Sequence, residues 1–322
     1  MRKKIMTLFI VALLGTTTII NASEKLKQEL ILGGNYLNIC DSKHEKRNEE
    51  YNQKNTLERF FRPSNLPVLN DRIENSLYDM FGSENNNLTI PDKFLKTPKD
   101  TIINYFSVLR EAANPTNQTK TGCGTLGDMR GPYPVAYNFL SNEYKEKYSY
   151  NEYVNSFKNK LHINLIKLNE VPKDKKDLDG LKYFVELEVI EGTDENKGVF
   201  AYYYGYVYLT EENGAYKISN MAYSPEDYLC APYHGWHYDA KLILDIKYKD
   251  WCSLVDGSIE IKQDGYEKKA YFKDKDKNEY YVLFYQLTNG YDIKIADYKK
   301  NKEGKWELIY IDPKKCLENK KG

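Results

Sequence analysis

Four tyrosines at every second position, Tyr202, Tyr204, Tyr206 and Tyr208, share one face of any extended strand, and Glu186 and Glu188 share a face of a strand that would neighbour it. A carboxylate base among phenol donors is equipment for proton abstraction beside a carbonyl, provided burial raises the carboxyl pKa and the phenols come within reach. The same pattern describes an aromatic core edged by solvated glutamates. With 30 Tyr in 322 residues, that plainer reading is favoured. These six residues are candidates for lining a pocket or groove, and no catalytic set is assigned.

Other chemistry is thinner. The densest group of possible metal ligands is His234, His237 and Asp239, with Cys230 upstream. Zinc needs such side chains converging at about 2 Å, but Trp236 and Tyr238 between them suit a packed structural turn, so no metal and no cofactor is expected. Gly122, Gly124 and Gly127 have dinucleotide-loop spacing but lack a preceding strand and a directly following helix. Lys175, Lys176, Asp177, Leu178, Asp179 and Gly180 with Glu186 half match a calcium loop, yet a cation stands where the first ligand should be. Asp274, Asp276 and Asn278 fail the same pattern at the glycine and at Tyr285. Four histidines support no Ser-His-Asp or Cys-His arrangement.

These residues must be held by elements that the periodicity announces. Thr97 caps, Pro98 opens and Asp100 charges the first turn of a helix carrying Ile102, Ile103, Phe106 and Leu109. Residues 134–148 read as a second helix with Val135, Phe139 and Leu140 inward. Ser149 with Glu152 gives a capping box for a third, carrying Tyr153, Phe157 and Leu161. The period then changes to two: Leu165 with Lys167, next Tyr183, Val185, Leu187 and Val189, next residues 200–209, and after a turn at Glu212, Asn213 and Gly214, residues 215–223. A short helix is expected at 70–80, with Ile73, Leu77 and Phe81 on one face.

The fold class is therefore α+β: three helices packed on a curved antiparallel sheet, followed by a smaller antiparallel β-meander. Leu242, Leu244, Ile246 and Tyr248 read as its first strand, and further runs follow at 258–262, 267–272, 279–287, 291–298 and 306–311. Asn289 with Gly290 and Glu303 with Gly304 supply hairpin turns. The organisation is a signal at 1–22, an N-terminal extension at 23–96, the α+β domain at 97–223, a connection at 224–240 and the meander domain at 241–322.

Arg2, Lys3 and Lys4 followed by an uncharged apolar run over 5–20 and small Ala22 read as a cleavable export signal. The run is too short and too interrupted for a membrane anchor. Removing it leaves three more acidic than basic residues, which makes nucleic acid a poor partner. An exported chain can keep disulfides. Cys252 and Cys316 bracket the C-terminal strand region and are one candidate pair; Cys123 and Cys230 are another, which would leave Cys40 over, and free buried thiols are the alternative.

The Thr97-Pro98-Lys99-Asp100 opening, the Tyr137-Asn138-Phe139-Leu140-Ser141 step and the Ser149-Tyr150-Asn151-Glu152 start resemble the nuclear-transport-factor-two-like superfamily, the cystatin-like α+β cone. They are similar to the non-catalytic domain of Gram-positive exported proteins and of some penicillin-binding proteins. The resemblance covers 97–223 and implies a cone with a pocket at its open end. It implies no single activity, since the superfamily holds isomerases, dehydratases and binding modules. This chain departs from the pattern in the insertion at 114–134, rich in Gly, Thr and Pro. Two function classes follow. The preferred one is an exported, non-catalytic module offering an aromatic groove to a peptide, glycan or cell-wall component; the other is a small-molecule isomerase, dehydratase or hydrolase using the cone pocket.

Overall fold

A computed structural model of the chain describes residues 30–37, 64–81, 88–116, 129–173, 180–192, 198–226 and 232–321. The export signal, Cys40, Cys123, Cys230, the glycine motif at 122–127, most of the calcium-like turn and the side chain of His234 lie outside the described residues.

The protein is α+β, with two five-stranded sheets among the described residues. Helix α1 covers only Asn75–Tyr78, although Ile73, Leu77 and Phe81 do pack on the core. Helix α2, Pro98–Arg110, begins as its residues require: Thr97 accepts a bond from the Asp100 N–H at 3.1 Å, and Ile102, Phe106 and Leu109 are buried. The single helix expected over 134–148 is instead two, α3 (Pro132–Tyr137) and α4 (Asn142–Lys147). Asn138 turns its side-chain amide onto the Pro134 carbonyl at 2.7 Å, and the Ser141 N–H leaves the helix to donate to the Ile218 carbonyl at 2.9 Å. Ser141 Oγ then caps α4 by accepting from the Tyr144 N–H at 3.1 Å. Both bonds of the capping box open α5, Tyr150–Asn155. Leu161, expected on that helix, lies in the following strand.

The first sheet runs in the order β1-β5-β4-β3-β2, from β1 (Asn35–Tyr36), β2 (Lys160–Glu170), β3 (Leu181–Gly192), β4 (Gly198–Glu212) and β5 (Ala215–Pro225). It is mixed, not purely antiparallel as expected, because β1 from the N-terminal segment pairs parallel to β5. Gly205 of β4 sits opposite Tyr223, where a Cβ would lie 2.0 Å from the Ala222 carbonyl oxygen; only glycine lets the strands approach so closely. The helix face of this sheet carries Val185, Leu187, Val189, Tyr203, Val207 and Leu209, packed with Ile102, Phe106, Tyr105, Tyr153 and Phe157.

The strand expected over 242–248 is a helix. Asp239 caps α6 (Ala240–Ile243) by accepting from the Leu242 N–H at 2.8 Å, and the chain continues as a π-helix over Leu244–Trp251. Ala240, Leu244 and Tyr248, spaced by four, form its buried stripe, so an alternation consistent with a strand also held a helical period. Strands β6 (Asp256–Asp264), β7 (Glu267–Lys273), β8 (Glu279–Gln286), β9 (Asp292–Lys300) and β10 (Trp306–Ile309) then form an antiparallel meander in the order β10-β9-β8-β7-β6. Its helix-covered face buries Ala270, Phe272, Tyr280, Val282 and Phe284. A final helix, α7 (Pro313–Lys321), was absent from the expected order. Cys316 at its start is bridged to Cys252 across 64 positions. Closing a loop of that size stabilises the fold by roughly 4 kcal/mol in the chain-entropy view.

Candidate functional site

The six residues singled out from the sequence occupy the face of the first sheet opposite the helices. Register places Glu188 opposite Tyr202 and Glu186 opposite Tyr204. The glutamates are not solvated: Glu186 is 0% and Glu188 1% exposed. Over Glu186 the second sheet packs, joining Phe184 and Tyr204 to Leu283, Tyr285, Leu287 and Ile293 in one apolar cluster. Glu188 accepts from Tyr202 OH at 2.7 Å and from Asn164 Nδ2 at 3.0 Å. Burial, followed by that carboxylate, drives the Tyr202 hydroxyl pKa upward, so Tyr202 stays a neutral donor. Tyr206 packs partly into the inter-sheet cluster, and Tyr206 and Tyr208 lie under the Lys182 ammonium at 4.0 and 5.5 Å. The two glutamates therefore sit beside Tyr202 and Tyr204 only.

Sequence reasoning missed the central cation. A β-bulge between Leu165 and Lys167 turns Lys167 off the helix face occupied by Leu165 and sets it opposite Glu186. Lys167 is 2% exposed, donates to Glu186 Oε2 and to the Gln286 carbonyl of the second sheet, and lies 4.9 Å from the Tyr266 ring. Glu186 Oε1 accepts from the Thr288 N–H at 2.8 Å, and Tyr266 OH donates to Asn169 Oδ1 at 2.5 Å. One ammonium and one carboxylate thus tie the two sheets together.

Glu226 was also missed, because it falls in what reads as a connection. Both of its oxygens are buried without a well-formed hydrogen bond. Burial first, then the neighbouring Glu186 carboxylate, hold its carboxyl well above the ordinary range. The folded chain therefore keeps this proton after the unfolded chain has lost it. Stability should fall as pH rises from about 4.3, the ordinary glutamate value, towards the raised folded value. One such group contributes at most about 1.4 kcal/mol per pH unit to that slope. Glu226→Gln, neutral throughout, should flatten it. Urea midpoints of both proteins at about pH 5 and about pH 8 check this, and an unchanged slope would contradict it.

On the helix side of the sheet one carboxylate, Glu191, accepts from Lys160 Nζ at 2.5 Å and from Tyr203 OH. Tyr105, Tyr133, Tyr144, Tyr153, Phe157 and Tyr223 fill that side, with Tyr105 OH 3.1 Å from Tyr153 OH and Tyr144 OH donating to the Gly33 carbonyl. The weak metal candidates are used otherwise: Asp239 caps α6, and His237 stacks on Trp236 at 3.6 Å. No group of three metal-capable side chains occurs among the described residues.

An open site lies on the second sheet. The face that meets the first sheet through Tyr285 and Leu287 continues outward through Tyr281, Tyr271, Tyr298 and Trp306. Tyr281 stacks on Tyr298 at 4.5 Å and 15°, Trp306 stands edge-on to Tyr281 at 4.8 Å, and Tyr271 tilts against both Tyr281 and Trp306 at 5.4 and 6.0 Å. Trp306 remains 36% exposed. Beside these rings opens a cleft of about 510 Å³, lined by Tyr271 and Trp306, by Phe272 and Tyr280 of the helix-covered face, and by charged residues of the edge strand β6 such as Asp256 and Glu260. Strand order brings these positions together; along the chain they span fifty residues and carry no motif, so no local signal points to them. Comparison with known proteins returns no matching family model, curated sequence or solved structure.

Proposed function

We propose that the chain is an exported, non-catalytic binding protein whose ligand, a peptide, glycan or cell-wall component, lies on the aromatic face of the C-terminal sheet. The observation carrying this reading is that the aromatic face leading out of the inter-sheet core ends at an open cleft bordered by Tyr271 and by Trp306, which is 36% exposed. Exposed Trp and Tyr give large contact area at low side-chain entropy cost, which suits binding. Export is supported by the residue pattern of 1–22 and by the Cys252–Cys316 bridge, since disulfides persist in oxidising compartments. No helix among the described residues is long and apolar enough to cross a membrane.

The enzymatic alternative gains little support. A base would have to lie in an accessible pocket, whereas Glu186 and Glu188 are both buried and engaged by Lys167, Thr288, Asn164 and Tyr202. The cone of the nuclear-transport-factor-two-like resemblance is kept as part of the proposal, with its helix side filled by tyrosines.

The test is sedimentation of the mature chain with the insoluble cell-wall fraction of the producing cells. Wild type should sediment and Trp306→Ala should lose at least about tenfold in affinity, roughly 1.4 kcal/mol. Equal sedimentation of both would contradict the placement of the site.

A further inference from the structure

Independently of any ligand, we propose that strand β6 is a self-association edge, pairing antiparallel with β6 of a second copy of this chain. The first argument is what the edge leaves open. In the first sheet β1 is only Asn35–Tyr36, and β2 is covered: the Leu69 N–H donates to the Leu165 carbonyl and Asn70 Oδ1 accepts from the Leu165 N–H, both at 2.8 Å. In the second sheet β10 is only Trp306–Ile309, whereas β6 runs over Asp256–Asp264 and pairs with β7 alone among the described residues. A two-residue turn closes Asp264 on Glu267, and the register continues through Lys262 with Lys269 to Glu260 with Tyr271. Backbone groups of an antiparallel strand alternate between its two sides. Those of Glu260, Lys262 and Asp264 are therefore directed to β7, and those of Ile261 and Gln263 point out from the edge. Such an unpaired row is a template for another strand.

The second argument is that β6 is complementary to itself in one register. About a two-fold axis at Ile261, Glu260 of each copy faces Lys262 of the other, giving two opposite-charge pairs. Both fall at non-hydrogen-bonded positions of the new ladder, where side chains approach most closely. An axis at Glu260 or at Lys262 would set like charges against each other. One at 259 would run the pairing into the irregularity between Asp256 and Glu260, and one at 263 into the turn. Glu260 and Lys262 are 66% and 63% exposed, and their contact along the strand, at 3.3 Å, is of the exposed kind that is worth little and is readily exchanged. Lys262 lies over the Tyr271 ring at 5.3 Å, which keeps it on the face that it shares with Glu260. The third argument is Ile261, a large apolar side chain left 39% exposed on this edge. At the two-fold axis it meets its own copy, and both are covered.

The experiment is sedimentation velocity of the mature chain from about 1 to about 100 μM, with hydrogen exchange of the Ile261 and Gln263 amides followed by NMR. A concentration-dependent dimer is expected, with both amides protected in it and exchanging on dilution. Glu260→Lys alone and Lys262→Glu alone each set like charges opposite one another at both pairs, and each should weaken association about tenfold or more. The double variant, Glu260→Lys with Lys262→Glu, should restore it. Both positions are exposed, so the fold should persist in all three variants. Dimers indifferent to the single reversals, or single reversals that the double exchange does not rescue, would overturn the proposal. A wild-type chain that stays monomeric over the whole range overturns it as well. Protected amides in that monomer would assign the edge to a segment of the same chain, and unprotected ones would leave it to a strand of other sequence.

Discussion

Lys167→Ala should lower the unfolding free energy by roughly 3–5 kcal/mol, the usual cost of removing one partner of a buried ion pair. The loss has a stated origin. Without the ammonium, the Glu186 carboxylate, 0% exposed, keeps only the Thr288 N–H as a partner from the facing domain, and the Gln286 carbonyl loses its donor. Glu226 would then face Glu186 with no nearby cation to moderate them. Because Lys167 touches both sheets, the effect should extend to docking between domains, with Tyr266 and Tyr285 becoming more accessible. Lys167→Met, which keeps most of the volume, should lose nearly as much, showing that charge and not packing is responsible. Urea melts followed by circular dichroism would report both values. A loss below about 1 kcal/mol would mean that the pair behaves like an exposed one and that the sheets do not seal it.

Tyr153→Ala should cost a similar amount, about 3–5 kcal/mol, for a different reason: it opens a cavity in a close-packed core. Tyr153 is fully buried and meets Tyr133, Tyr137, Tyr144 and Phe157 at ring separations of 6.4, 5.3, 6.4 and 5.1 Å. Its hydroxyl also pairs with that of Tyr105. Tyr153→Phe keeps the ring and strands the Tyr105 hydroxyl, so its cost should be near 1–3 kcal/mol, that of one buried group without a partner. Trp306→Ala, at a partly exposed site, should change stability by no more than about 1 kcal/mol. Thermal or urea melts of the three variants separate core from ligand surface. Equal losses in all three would show that the platform is structural.

How far the sequence reveals this molecule depends on whether a feature is local. The starts of α2 and α5 were legible because a cap is a bond between residues three apart, as at Thr97 with Asp100 and Ser149 with Glu152. The alternation in β3 and β4 was legible for the same reason, and it correctly put Glu186 and Glu188 beside the Tyr202 row. The helix at 240–251 was not, since Leu244 and Tyr248 fit both periods and the deciding bond is the Asp239 cap. Residues 134–148 misled because the break at Ser141 is made by Ile218, far along the chain. The burial of Glu186 was also invisible, because it involves a bulge at 165–167, a lysine re-aimed by it and a turn at 286–289 after a strand of the other sheet. The aromatic platform depends on strand order in the same way.

The most direct measurement of the central claim is hydroxyl-radical footprinting of the mature chain, free and bound to the cell-wall fraction. Oxidation of Trp306, Tyr271 and Tyr298 should drop on binding, while Tyr78, 54% exposed at the end of α1, serves as the control and should be oxidised equally in both states. Protection at Tyr78 with Trp306 left as reactive as in the free chain would contradict the account.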